Sequence, residues 1–320
     1  MINMDSEDEG VATVSCAGGL RVQFTKEIQR TTVQGSLLTL KVEGLLGGHS
    51  GQDIDKERQN ADLLMARMIQ RLLKETKGQL VSFNGGTKDN AIPRECEASL
   101  IYESDEEAAK AEELACELAE TYAEELTPAE PDFSCEISCE TNRTAEAIPQ
   151  DAAKEFICAM RLAPNGIQKR NIKMDGFVVV SLNLGVVRTE EDRIVMIFSP
   201  RSSVASLQED TKERLNTLAE TFGFTVSHSS EYPGWSFKED SPVREICKES
   251  YKELFGEDLK IEAIHAGLEC GLFSDAIKGL DAIAIGPTIA NCHTPDEYLT
   301  LDSFERFYEF LKDILSRLAK

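Results

Sequence analysis

Tyr232-Pro233-Gly234-Trp235 divides two kinds of chain, and the fold depends on how that division is read. Downstream, helix and strand patterns alternate: a 3.6-residue apolar period over Pro242–Phe255, a strand over Lys260–Ile264, a turn-rich stretch over 265–279, an apolar strand over 282–285 and a helix over 302–318. That alternation predicts α/β layering. At the other end, Val11–Cys16 reads as a strand and needs a sheet to join. One α/β domain built from both chain ends, 1–18 and 235–320, meets both requirements, with 19–234 inserted into it.

The insertion has its own rhythm. A strand over 36–45 is followed by a helix over 55–74, strands over 79–84 and 95–102, and an acidic helix over 105–125. Thr127-Pro128-Ala129-Glu130-Pro131 breaks the chain. A strand over 133–141, a helix over Gln150–Leu162, strands over 177–188 and 193–200, a helix over 206–222 and a strand over 225–230 then repeat the order. The repeat predicts two tandem ferredoxin-like α+β units, 19–128 and 129–234.

Composition limits the function classes. With 320 residues, 41% of them hydrophobic, the chain is long enough for two domains with real cores. A formal charge of −23 argues against nucleic acid or an anionic membrane surface as a partner. No apolar run approaches the roughly 18 residues of a membrane span. The acidic start, Met1 to Glu9, lacks the basic and apolar regions of a signal peptide, which points to the cytoplasm. Nine scattered cysteines without a CxxC pair read as reduced thiols.

Five loops carry the candidate chemistry. Gly286-Pro287-Thr288 follows an apolar strand and leads to His293, at the sheet rim where α/β folds place their sites. A neutral imidazole there suits a divalent transition metal, and Asp5 converges on it if both ends share one domain. Gly47-Gly48-His49-Ser50-Gly51 presents its imidazole among small residues; it is either a turn histidine or a group for a substrate carboxylate or an oxyanion. Arg201, in Pro200-Arg201-Ser202-Ser203, ends a strand where a guanidinium can take a carboxylate bidentately. His265-Ala266-Gly267-Leu268-Glu269-Cys270-Gly271 lets a ligand approach the backbone or simply connects elements. Gly85-Gly86-Thr87-Lys88-Asp89-Asn90 reads on its own as a hairpin loop.

Taken in order, NxDSEDEG, GGHSG, GGTKDNAIPRE, PRSS, HAGLECG and GPT followed by HTPDE resemble the aminoacyl-histidine dipeptidases, also called PepD, Xaa-His or β-Ala-His dipeptidases, of the M20 metallopeptidase class. The resemblance runs over essentially the whole chain. It implies an α/β metallopeptidase catalytic domain carrying an inserted α+β lid, and cytosolic hydrolysis of dipeptides, often with C-terminal His. It implies two metal ions, Zn2+ or else Mn2+ or Co2+, with Asp5 a ligand of one and His293 of the other. It places His49 at the oxyanion, and Asn90, Arg201 and Gly267 around the substrate. In such sites paired cations polarise the scissile carbonyl and activate a bridging water, and a carboxylate moves its proton.

The pattern also departs from that family. Its first metal-binding His, bridging Asp and adjacent Glu pair all precede the position matched by Asp5, so the general base is absent and the catalytic domain is expected to be partial. Two readings follow: a metallodipeptidase with an incomplete site, or a non-catalytic lid or dimerisation module, one half of a split enzyme. A homodimer or a separate N-terminal fragment is the partner each would need.

Overall fold

The computed structural model describes residues 1–172, 176–292 and 295–319. His293, the candidate metal ligand, lies outside the described residues.

The chain opens with strands Ile2–Asn3 (β1), Val11–Cys16 (β2), Gly18–Glu27 (β3) and Thr31–Glu43 (β4). A short strand Gly48–His49 (β5) and helix Ala61–Glu75 (α1) precede Gln79–Gly85 (β6), Ala91–Ile92 (β7), Cys96–Tyr102 (β8) and helix Asp105–Leu126 (α2). Next come Ser134–Ala147 (β9), Gln150–Leu162 (α3), Gly166–Asn171 (β10) and Phe177–Thr189 (β11). Arg193–Ser202 (β12), Ala205–Thr221 (α4) and Thr225–Tyr232 (β13) complete the insertion. The closing segment holds Pro242–Phe255 (α5), Lys260–Ile264 (β14) and Glu269–Ala276 (α6). Ile283–Ala284 (β15), Ile289–Ala290 (β16), Tyr298–Leu299 (β17) and Leu301–Leu318 (α7) end it. Helix α6 occupies part of what the sequence shows only as turns.

The two chain ends share one sheet, in the order β1-β15-β2-β14. Strand β1 runs parallel to β15, with Ile2 opposite Ile283, and β14 runs parallel to β2. Ala12 and Val14 of β2 are buried with Cys247 and Tyr251 of α5 and Phe307, Phe310 and Ile314 of α7. Each fully buried side chain of this size stabilises the layer by about 1.5–3 kcal/mol. Chain enters and leaves the insertion at a narrow neck. Cys16 and Trp235 exchange backbone hydrogen bonds of 3.0 and 2.9 Å there, and Ser15 Oγ donates to the Trp235 carbonyl. A side chain at Gly18 would collide with the backbone of Pro233 and Gly234, so the crossing needs glycine.

The insertion forms a single nine-stranded sheet, β13-β3-β12-β11-β6-β8-β4-β9 with β10 on β11. Its strands correct the division at 128/129. Strand β9, read as the opening of the second unit, pairs along its length with β4, from Thr31 opposite Ala147 to Glu43 opposite Ser134. It is the fourth strand of a β4-α1-β6-β8-α2-β9 unit whose sheet order, fourth-first-third-second, is ferredoxin-like. The second unit takes β3 as its first strand and continues through α3, β11, β12, α4 and β13, in the same order. One ferredoxin-like unit is therefore inserted after the first strand of the other.

The two units meet where Val187 of β11 pairs with Gly85 of β6. Leu20, Val22 and Phe24 of β3 and Leu38, Leu40 and Val42 of β4 alternate into one continuous core with the apolar stripes of α1, α2, α3 and α4. Asn60 fastens the units together. Its Oδ1 caps α1 by accepting from the amides of Asp62 and Leu63, and its Nδ2 donates to the Leu184 carbonyl of the other unit at 2.8 Å. Among the described residues no helix is long and apolar enough to cross a membrane, and all nine cysteines are unbridged.

Candidate functional site

The loop bearing His49 is held at both ends by one buried side chain. Glu130 accepts from the Leu46 amide at 2.7 Å and from the Gln59 amide at 2.8 Å. In the sequence Glu130 stands only within the break Thr127-Pro128-Ala129-Glu130-Pro131. Replacing it with alanine strands two amide donors, and a loss of about 2–4 kcal/mol is expected in urea unfolding. An unchanged midpoint would show that the loop holds itself.

Within the loop, His49 Nδ1 accepts from the amides of Gly51, at 3.3 Å, and Gln52, at 3.1 Å. Two donors on Nδ1 assign the proton of the neutral ring to Nε2. Burial, followed by the charge of Arg201, holds this imidazole below the ordinary histidine range, with Asp53 opposing. His49 is therefore a neutral donor near pH 7. The loop stands on two other motifs. Ser50 donates its amide to the Asn90 carbonyl at 2.9 Å, and β5 pairs with β7, placing His49 opposite Ala91. A side chain on Gly51 would strike the His265 carbonyl, so the glycine permits that approach.

Arg201 ends β12 and is 6% exposed. Its Nη1 donates to the Tyr232 hydroxyl at 2.9 Å, while its Nε is buried without a partner among the described residues. Tyr232 organises the surroundings: a side chain on Gly267 would meet its ring at 2.9 Å, and one on Gly19 its hydroxyl at 2.8 Å. Asn90, Arg201 and Tyr232 line a cavity of 580 Å³. His265 closes the group from the other domain, its Nε2 lying 2.7 Å from Ser181 Oγ of β11. Burial and then Arg201 push the His265 imidazole down to about 3, so it stays neutral.

The structure thus brings together His49, Asn90, Arg201 and Gly267, which are far apart in sequence. Tyr232, His265, Ser181 and Glu130 belong to the same assembly. Position after a strand was available as a signal for His265; nothing in the sequence singles out the other three.

Of the two metal candidates, the structure describes Asp5 alone, away from this group. Asp5 is exposed just past β1. The segment after β15 runs beside it: Ile285 donates its amide to the Asn3 carbonyl, Ile289 donates to the Glu7 carbonyl, and Gly286 packs on the Ser6 backbone. The described segment 285–289 therefore runs alongside residues 3–7, beyond the ends of parallel strands β1 and β15. Among the described residues no group of three or more His, Cys, Asp or Glu is arranged to hold a metal ion.

Known proteins resemble this chain in sequence and in fold. The chain matches peptidase family M20/M25/M40 over residues 86–317 and a peptidase dimerisation domain over residues 40–131. It is 33% identical over 324 residues to the cytosol non-specific dipeptidase of Escherichia coli K12, covering 99% of this chain and 66% of that protein. The aminoacylhistidine dipeptidase structure from Vibrio alginolyticus superimposes with a TM-score of 0.94 at 33% identity, over 99% of this chain and 64% of the other. This chain spans about two thirds of either relative's length. By sequence and by fold, the chain belongs to peptidase family M20/M25/M40.

Proposed function

We propose that this chain provides the substrate-holding half of a metal-dependent cytoplasmic dipeptidase, with Xaa-His dipeptides among its substrates. One observation carries the reading: distant loops converge on Arg201, a buried guanidinium with a free Nε, within electrostatic reach of the neutral donor His49. Arg201 takes the terminal carboxylate of the dipeptide. His49 donates from Nε2 to the carbonyl oxygen as negative charge develops there. Asn90 contributes its amide from the cavity wall, and Gly267 keeps the backbone near Tyr232 accessible. Asp5 and His293 are the metal ligands this reading requires, with Zn2+, Mn2+ or Co2+ as the ion. In this reading further metal ligands and the general base come from a separate fragment that pairs with this chain.

The second reading, a lid or dimerisation module without catalysis of its own, draws on the match to a peptidase dimerisation domain. The fourteen-residue strand β9 forms one edge of the sheet, where a second copy can add strands to make a homodimer.

Zinc or manganese titration coupled to a dipeptide-hydrolysis assay tests both. Dipeptide binding with fewer than two metals bound is the predicted result. Two metals bound stoichiometrically with turnover contradicts the dependence on other ligands, and absence of dipeptide binding leaves the module reading. Where a separate complementing fragment restores turnover, His49→Ala should lower kcat by about 10²–10³-fold with little change in KM. A rise in KM alone would make His49 a ground-state ligand.

A further inference from the structure

The chain carries a formal charge of −23, yet the 580 Å³ cavity beside Arg201 is lined by four cations, Arg21, Lys88, Arg188 and Arg201, and one carboxylate, Asp89. Most of that positive charge has no anion to meet. Arg21 gives its Nε to Asp89 at 2.8 Å, and its remaining guanidinium donors make no hydrogen bond among the described residues. Arg188 spends its donors on the carbonyls of Gly85, Gly86 and Val187, which satisfy its hydrogen bonds and leave its charge in place. Lys88 is exposed at the rim. Arg201, 6% exposed, faces the Tyr232 hydroxyl, and its Nε has no partner among the described residues. A cleft of net positive charge concentrates anions even on a protein of the opposite net charge.

Arg201 and Tyr232 belong both to this cavity and to the group around His49 and Gly267. A dipeptide whose terminal carboxylate rests on Arg201 therefore has its C-terminal side chain next to the remaining cations. We propose that the cavity is a second anion subsite, which receives an acidic side chain and gives this chain a preference for dipeptides ending in Asp or Glu. The proposal rests on the dipeptide reading above and adds a side-chain class to it. Glutamate fits because its carboxylate meets guanidinium and ammonium donors, whereas the isosteric glutamine amide brings no charge and presents donors to donors.

Calorimetric titration of the purified chain with Gly-Glu, Gly-Gln and inorganic phosphate tests it, on wild type and on the Arg21→Gln/Lys88→Gln double variant, with circular dichroism as the check on folding. Gly-Glu should bind about tenfold more tightly than Gly-Gln at low salt, with the gap narrowing as salt rises and collapsing in the double variant. Equal affinities for the two dipeptides overturn the acidic preference, a gap that survives in the double variant overturns its assignment to this cavity, and either result leaves the dipeptide reading standing. Phosphate binding that is lost in the double variant, with no binding of either dipeptide, keeps the anion subsite and overturns the dipeptide reading. No binding of any of the three overturns both.

Discussion

Replacing Arg201 with methionine is expected to weaken dipeptide binding by about 2–4 kcal/mol, roughly 30- to 1,000-fold, and to leave the unfolding temperature unchanged or higher. The two effects diverge because of how Arg201 is held. Its side chain is 6% exposed, its one hydrogen bond among the described residues goes to a neutral hydroxyl, and its Nε has no partner. A buried cation without a carboxylate costs folding energy, and methionine of similar length fills the space without that cost. The same free charge depresses the imidazoles of both His49 and His265, so the variant should also raise the pKa of each. Thermal unfolding, calorimetry and imidazole titration by NMR read the three consequences separately. A large loss of stability with unaltered binding would make Arg201 a structural residue.

Asp62 provides the other large effect. It sits in the first turn of α1, fully buried, and among the described residues its carboxylate oxygens have no partner beyond the neighbouring Cys96 thiol. A side chain on Gly85 would collide with it, so the carboxyl fills the space that glycine leaves at the seam between the two units. Burial pushes its pKa up to about 8, against the smaller opposing effects of the Cys96 thiol and the Arg188 charge. Between the ordinary carboxylate value and pH 8 the folded chain holds a proton that the unfolded chain has released, so stability falls as pH rises through that window. The contribution amounts to about 3 kcal/mol from pH 5 to pH 7. Asp62→Asn carries no such proton. Urea unfolding at pH 5, 6 and 7 should therefore show the variant losing less stability than wild type by about that amount. Parallel profiles would mean that the carboxyl is ionised in the folded state.

Most elements were readable because their patterns are local. The helices Gln150–Leu162 and Pro242–Phe255 and the strands Val11–Cys16 and Lys260–Ile264 match the sequence reading end to end. The strand Gly18–Glu27 was not recognised, although Leu20, Val22 and Phe24 alternate in it and are buried. Without it the second unit lacks a first strand, which is why the sequence reading gives it the strand over 133–141, observed as Ser134–Ala147. Pairing with Thr31–Glu43 is a long-range choice, made when the core closes, and neither strand's own sequence announces it.

Site residues followed the same rule. Histidine and arginine in glycine-rich loops stood out from their immediate neighbours. Tyr232, Glu130 and Ser181 look ordinary locally and acquire roles only when distant segments meet: Tyr232 on Gly19, Gly267 and Arg201, Glu130 on Leu46 and Gln59, Ser181 on His265.

The central claim is that His49 and Arg201 together hold a dipeptide as its carbonyl oxygen gains charge. A phosphinic dipeptide analogue, which carries both an oxyanion and a terminal carboxylate, tests it by calorimetric titration in metal-free buffer. Wild type should bind the analogue, and His49→Gln and Arg201→Met should each weaken binding by about tenfold or more. Equal affinity of the wild type and both variants would contradict the account.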